Sequence, residues 1–393
     1  MSVESTTSTA PSSRDVSPPW WRDVTVLAWV FQFAVLAIVL AIVAWLVNNV
    51  RVNSSEQNIP TGFAFLDQPA GFEIPGNSFR QSQSVSAAIY QGFLNTLRVA
   101  LAGIVLATIL GVAVGVGRLT TNWVVRTICK VYVEVLRNIP LPGIVSFVYL
   151  GVVLAMPRTQ DSWKLGPLVV ANVRGVSVPW VTGSFLRFVL VLLAASAATY
   201  AVRRWRLAVN ARTGEPAKVG WWAVPVFVLV AFWGAVLVGN GVTTPELEGR
   251  LTTGGMTFQP EYFALLVSLV IYTASHIAEI VRGSIQAVPK GQVEAAGALA
   301  LGSWQRLRFV VLPQAFRIAL PAFGNQYLNL MKNSSLGFLI SYFDLTKVVS
   351  TSIGNRSPAV PAYLLLMVIY LAISLTIAGV VNFTNRRLQL VTR

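Results

Sequence analysis

Asn325, Asn329, Lys332 and Asn333 follow one another at i, i+4, i+7 and i+8, with Ser334 next in line. At 3.6 residues per turn they share one helical face. In an apolar run, three amides and an ammonium on one face call for polar partners, an opposite charge above all. An earlier apolar run carries a looser polar stripe, His276, Glu279 and Arg282, at i, i+3 and i+6. The chemistry these stripes offer is charge pairing along a dry path. Structural roles compete with it: Glu279 paired with Arg282, Lys332 capping carbonyls or pairing with Glu134, His276 packed in the interior. His276 is the sole histidine and Cys129 the sole cysteine, which leaves no metal cluster and no intramolecular disulfide. No clustered Asp, His or Cys set suggests a catalyst. G-x-x-x-x-G-K-[ST] does not occur, so nucleotide chemistry belongs to another chain.

The elements that must position these residues are membrane helices. The 393 residues are 54% hydrophobic and 11% charged, against roughly a quarter charged in ordinary soluble domains, and the mean hydropathy is +0.63. A bilayer asks for about 20 apolar helical residues per span. Eight segments qualify: about 24–48, 92–117, 184–202, 221–240, 260–281 and 361–383, with 131–156 and 317–341 as irregular ones containing Pro, Asn, Arg or Lys. If all eight span, both tails and alternate loops share the side richer in arginine and lysine, among them Arg118, Arg126, Lys130, Arg203, Arg204, Arg206, Arg306 and Arg308. The positive-inside rule makes that side the cytoplasm. The net charge of +15 therefore records topology, and no aromatic-interleaved basic face suggests nucleic acid. The expected class is an all-α polytopic membrane protein. Its parts are a flexible cytoplasmic tail (1–23), a first helix with an external segment (24–89), a core in two parts (90–156 and 260–393), and an insert with two extra spans (157–259).

Between two spans lies GQVEAAGALALGSWQRLRFVVLP, residues 291–313. Apolar positions at helical spacing follow Pro289, Gly302 suits the left-handed position after a helix, Ser303 can cap a second helix, and Pro313 predicts a stop. Small residues from Ala295 to Ala300 let a partner approach the backbone, and Glu294 lies near the helix start. A docking knob fits, with an interfacial helix on lipid as the alternative.

Glu294, Ala295, Ala296, then Val310, Leu312 and Pro313 resemble the EAA loop of binding-protein-dependent ABC importer permeases, with Ala300 where that family usually has glycine and Gly302 two places on. GFLNTLRVALAGIVLATILGVAVGVGRL, YVEVLRNIPLPGIVSFVYLG (with Tyr132, Glu134, Arg137 and Pro140) and LPQAFRIALPAFGNQYLNLMKNSSLGFLI are similar to the polar amino-acid subfamily, and the length to its general L-amino-acid type. The resemblance implies a type I importer core of the methionine-permease kind in a bacterial inner membrane. It implies coupling through Gly291, Glu294, Ala295, Ala296, Ala300, Gly302 and Pro313 to two separate ATPase subunits that hold ATP and Mg. It further implies a second, different permease chain, a periplasmic binding protein, no cofactor on this chain, and import of polar L-amino acids. On that reading Lys332 meets the substrate carboxylate and Glu279 its ammonium, with Asn325, Asn329, Asn333 and Ser334 along the path. A self-sufficient ion-driven transporter is the alternative, although no inverted repeat is visible.

Overall fold

The computed structural model describes residues 21–388 except 58, 167, 182–184, 214–218, 238–240, 250 and 356, and it divides into two units, residues 1–63 and 64–393. Among its described residues the first unit holds one helix, α1 (Val24–Glu56), opened by Asp23, whose carboxylate accepts from the Thr25 N–H at 2.8 Å. Its apolar residues run around the whole circumference, the pattern of a helix whose solvent is lipid.

The second unit begins with a 3₁₀ turn (Ala64–Asp67) and a loop that leads into α2 (Val85–Gly117), capped by Ser84. Then come α3 (Trp123–Asn138) and α4 (Leu141–Ser146), which continues as a π-helical turn to Val153. The expected span 131–156 is corrected here. α3 starts eight residues earlier, and the chain bends by 106° between α3 and the α4 segment. The bend has a local cause. Ile139 precedes Pro140 and is extended (φ −92°, ψ 129°), as steric conflict with a following proline ring demands.

The insert contains strands that the periodicity analysis did not foresee. β1 (Trp163–Leu165), β2 (Val169–Asn172), β3 (Gly175–Val178) and β4 (Trp180–Val181) precede two helices, α5 (Phe185–Thr213) and α6 (Val219–Leu237). β5 (Val242–Thr243), β6 (Glu246–Glu248), β7 (Leu251–Thr253) and β8 (Met256–Phe258) follow. β8 pairs antiparallel with β3, giving the order β1-β2-β3-β8, while β4 pairs with β5 and β6 with β7. Strands of two to four residues leave little alternation to read, and the closing pair joins segments on either side of the α5–α6 hairpin.

After β8 come α7 (Pro260–Gln286), α8 (Lys290–Ala298), α9 (Ser303–Arg306), α10 (Leu312–Asn333), a 3₁₀ run to Ile340, α11 (Leu345–Gly354) and α12 (Ala359–Leu388). Among the described residues, six helical runs are long and apolar enough to cross a membrane: α1, α2, the α5 stretch, α7, Ser303–Ile340 and α12. The bent α3–α4 pair would make a seventh. The eighth expected span, 221–240, coincides with α6, whose apolar stretch Ala223–Gly234 is shorter, and its last three residues lie outside the described ones. The expected tail 1–23 also lies outside them, except for its last three residues.

The core is the α2–α7 pair, running in the same direction. Gly111 faces Ile277 and the Ala274 carbonyl, and a Cβ there would lie 2.6 Å from Ile277 Cβ. One at Gly115 would lie 2.8 Å from the Ala278 carbonyl. Small residues four apart allow this approach, which apolar lipid alone does not drive. Val99, Ala107, Leu269, Ile277, Leu330 and Met331 fill the seam, and α10 adds a hydroxyl pair, Thr108 to Tyr327 at 3.0 Å.

Candidate functional site

The stretch 289–313 is a helix, a bend and a helix, placed differently from the sequence expectation. α8 exposes most of its length. Only Val293 is half-buried and Ala296 buried, at 3%. Gly291, Glu294 and Ala295 are all exposed, and Leu299, at the end of α8, is 76% exposed. The left-handed residue is Ala300, with φ +57°, and not Gly302. The Leu301 N–H donates to the Ala296 carbonyl at 3.2 Å and the Ala300 N–H to the Gly297 carbonyl at 2.9 Å. These two bonds are the Schellman closure, which puts its positive φ directly after the C-cap. Gly302 is extended (φ −62°, ψ 159°) and precedes α9, its N–H donating to Gln305 Oε1 at 2.9 Å. The cap is therefore Gly302 and not Ser303.

Pro313 does not stop the helix either. Residues Leu307–Val311 widen into a π-turn in which the Leu312 N–H reaches back to the Leu307 carbonyl, and Pro313 enters the first turn of α10. A proline needs no donor there, and the extra residue in the turn absorbs the register change. Residues 303–340 thus form one continuous run.

On α10, Phe323, Gly324, Leu330 and Met331 are buried, whereas Asn325, Asn329 and Lys332 are exposed. The side chains of these three make no hydrogen bond or ion pair with the described residues, and Lys332 does not meet Glu134, which pairs with Lys130 at 3.7 Å. Asn333 is half-buried. Ser334 lies apart from this stripe: it is wholly buried and donates to the Met331 carbonyl at 2.7 Å.

Glu279 is committed within the chain. One oxygen pairs with Arg118, from the end of α2, and sits 3.9 Å from Arg137 of α3, while the other pairs with Arg282. Two guanidiniums thus hold the carboxylate and a third stands near it, which gives Glu279 cationic partners within the chain. His276 Nδ1 lies 3.1 Å from the Tyr272 carbonyl and its ring packs on Tyr272, centroids 4.6 Å apart. These groups line a cavity of about 430 Å³ bounded by Arg118, Val133, Glu134, Arg137, Asn138, His276 and Glu279. Sequence analysis missed this meeting because Arg118 reads locally as a topology charge and the residues come from three helices. Among the described residues, no three His, Cys, Asp or Glu side chains could hold a metal ion.

The model of the binding-protein-dependent transport system inner membrane component family matches residues 219–390. The general L-amino acid transport system permease protein AapQ of Rhizobium johnstonii is 38% identical over 370 residues, covering 92% of each chain. The chain belongs to this permease family. The glutamate/glutamine/aspartate/asparagine transport system permease protein BztB of Rhodobacter capsulatus is 34% identical and is matched over 95% of each chain. The glutamine transport system permease protein GlnP of Escherichia coli is 33% identical over 129 residues, 33% of this chain and 59% of that one. The permease thus matches long relatives over more than nine-tenths of its length and of theirs.

Proposed function

We propose that this permease is the membrane subunit of an ATP-driven importer carrying polar L-amino acids inward, coupled through α8 to a separate ATPase. The observation that carries the reading is α8 itself. It is a nine-residue helix outside every candidate span, almost fully exposed, with Glu294 and Ala295 outward and a Schellman turn fixing its angle to α9. A small-residue surface around one carboxylate suits a cleft in a partner. That end of the bundle is cytoplasmic in this reading, both termini lie on the same side, and two ATPase subunits hold ATP and Mg.

The exposed polar face of α10 supports a second permease beside it. Asn325, Asn329 and Lys332 would be costly against lipid, so they face a partner chain or the aqueous path enclosed with it, where Lys332 meets a substrate carboxylate. The long relatives' names speak for amino acids as cargo, and the family's description, binding-protein-dependent transport, for a binding protein as donor. That the partner permease is a different chain rests on the same likeness.

The test uses the whole complex in proteoliposomes with its binding protein. Glu294→Lys is expected to abolish ATP-dependent uptake or assembly with the ATPase, and unchanged coupled hydrolysis would sink the reading. Lys332→Met is expected to lower uptake with assembly intact. Uptake by this chain alone, driven by an ion gradient without ATP, would favour a secondary transporter.

A further inference from the structure

The cavity between α2, α3 and α7 has a charge pattern that packing alone does not call for. Arg118, Arg137 and Arg282 surround one carboxylate, Glu279, while Glu134 is matched by Lys130. The wall itself carries Arg118 and Arg137 with Glu134 and Glu279, while Arg282 and Lys130 engage the two carboxylates from outside it, which leaves the wall's own guanidiniums with spare donors. Arg137 is the uncommitted member. Its Nη1 is 3.9 Å from Glu279, beyond hydrogen-bond range, and its side chain is 42% exposed and makes no hydrogen bond to the described residues. Arg118 is only 12% exposed and uses Nη1 on Glu279, with further donors left on its planar fork. Across the cavity, a neutral His276 donating Nδ1–H to the Tyr272 carbonyl keeps Nε2 as an acceptor, and Glu134 adds an exposed carboxylate.

We infer that this cavity is a binding station for a zwitterionic amino acid, separate from the polar face of α10. Arg137, seconded by Arg118, takes the α-carboxylate, and His276 Nε2 with Glu134 takes the ammonium. Glu279 is a positioning residue that holds the guanidiniums apart from one another and aimed at the carboxylate. The volume suits a small solute, and bidentate guanidinium recognition of a carboxylate is the strong, geometrically selective kind. The inference rests on the amino-acid reading above. In that reading the station lies on the cytoplasmic side, since Arg118 ends α2 and Glu279 is two turns from the end of α7. Its place there is the exit of the path.

Radiolabelled L-glutamine binding to the whole permease–ATPase complex in nanodiscs, without the binding protein, tests this. In phosphatidylcholine alone, saturable binding at millimolar concentration or below is expected. Arg137→Gln should weaken it about tenfold or more, Arg137→Lys should restore part of it, and L-glutaminamide, which lacks the carboxylate, should not compete. No saturable binding, wild-type binding in Arg137→Gln, or equal competition by the amide would overturn the station. Loss of glutamine binding on adding phosphatidylglycerol, with the amide already competing, would make it a lipid-headgroup site instead. Lys332→Met, which removes the cation on α10, should keep this binding; binding lost in Lys332→Met with Arg137 intact would place the glutamine on α10 and overturn the station. ATP-driven uptake without this binding would sink the station alone, and binding without uptake of any amino acid would sink the transport reading alone.

Discussion

Arg118 and Glu279 lie 161 residues apart in sequence and close an ion pair between the end of α2 and α7. With side chains 12% and 27% exposed, the pair is sheltered enough that losing one partner strands the other. Glu279→Ala leaves three guanidiniums facing one another and is expected to cost on the order of 3 kcal/mol. Arg118→Ala should cost less, because Arg282 still holds the carboxylate. Thermal melting of the purified chain should give a double variant less destabilised than the sum of the singles. Additive losses would show that the two do not act as a pair.

Gly111 packs on Ile277 with no room for a methyl group. Gly111→Ala forces α2 and α7 apart and should destabilise by about 1–3 kcal/mol. Adding Ile277→Ala removes the atoms that Cβ meets and should recover part of the loss. A melting temperature unchanged by Gly111→Ala would mean that the helices pack less closely than described.

Ala300 holds a left-handed conformation that glycine adopts freely. Ala300→Gly should therefore stabilise the α8 turn by roughly 0.5–1 kcal/mol, whereas Ala300→Val, β-branched, should loosen it. Amide hydrogen exchange across 290–302 reads both effects. Slower exchange in the valine variant than in the glycine variant would contradict the left-handed turn.

Asp344 caps α11, accepting the Lys347 N–H at 2.8 Å, and is completely buried near Tyr370 and Tyr342. Burial, the leading cause, pushes its pKa from 3.8 up to about 7, with the Lys347 and Thr346 N–H groups pulling the other way. The folded state thus prefers the protonated acid. Stability is highest below the unfolded pKa, falls as pH rises from about 4 to 7, and levels off above. The loss is on the order of 1–3 kcal/mol. Asp344→Asn keeps a capping side chain and should melt at a nearly constant temperature over the same window, overtaking the wild type at pH 8. A wild type that gains stability between pH 4 and 7 would overturn the assignment.

Apolar runs of spanning length, the sign of loop charges, and the Glu294–Ala296 and Leu312–Pro313 motifs are local properties. They were legible in sequence because each follows from the immediate chain: hydropathy per turn, proline sterics, small side chains. The places of α2, α7 and α12, though each helix runs several residues longer than its apolar run, the exposed helix at 290–298 and the polar face of α10 follow from them. Four features did not: the left-handed residue at Ala300 instead of Gly302, the π-turn that carries the helix through Pro313, the strand pairing of Val176 with Phe258, and the capture of Glu279 by Arg118. The first two depend on how consecutive turns share hydrogen bonds, which residue preferences of a few tenths of a kcal/mol do not fix. The last two join residues far apart in the chain. Only the close approach of α2 and α7 at Gly111 and Gly115 brings Arg118 to Glu279, and with it turns a topology charge into the wall of a cavity.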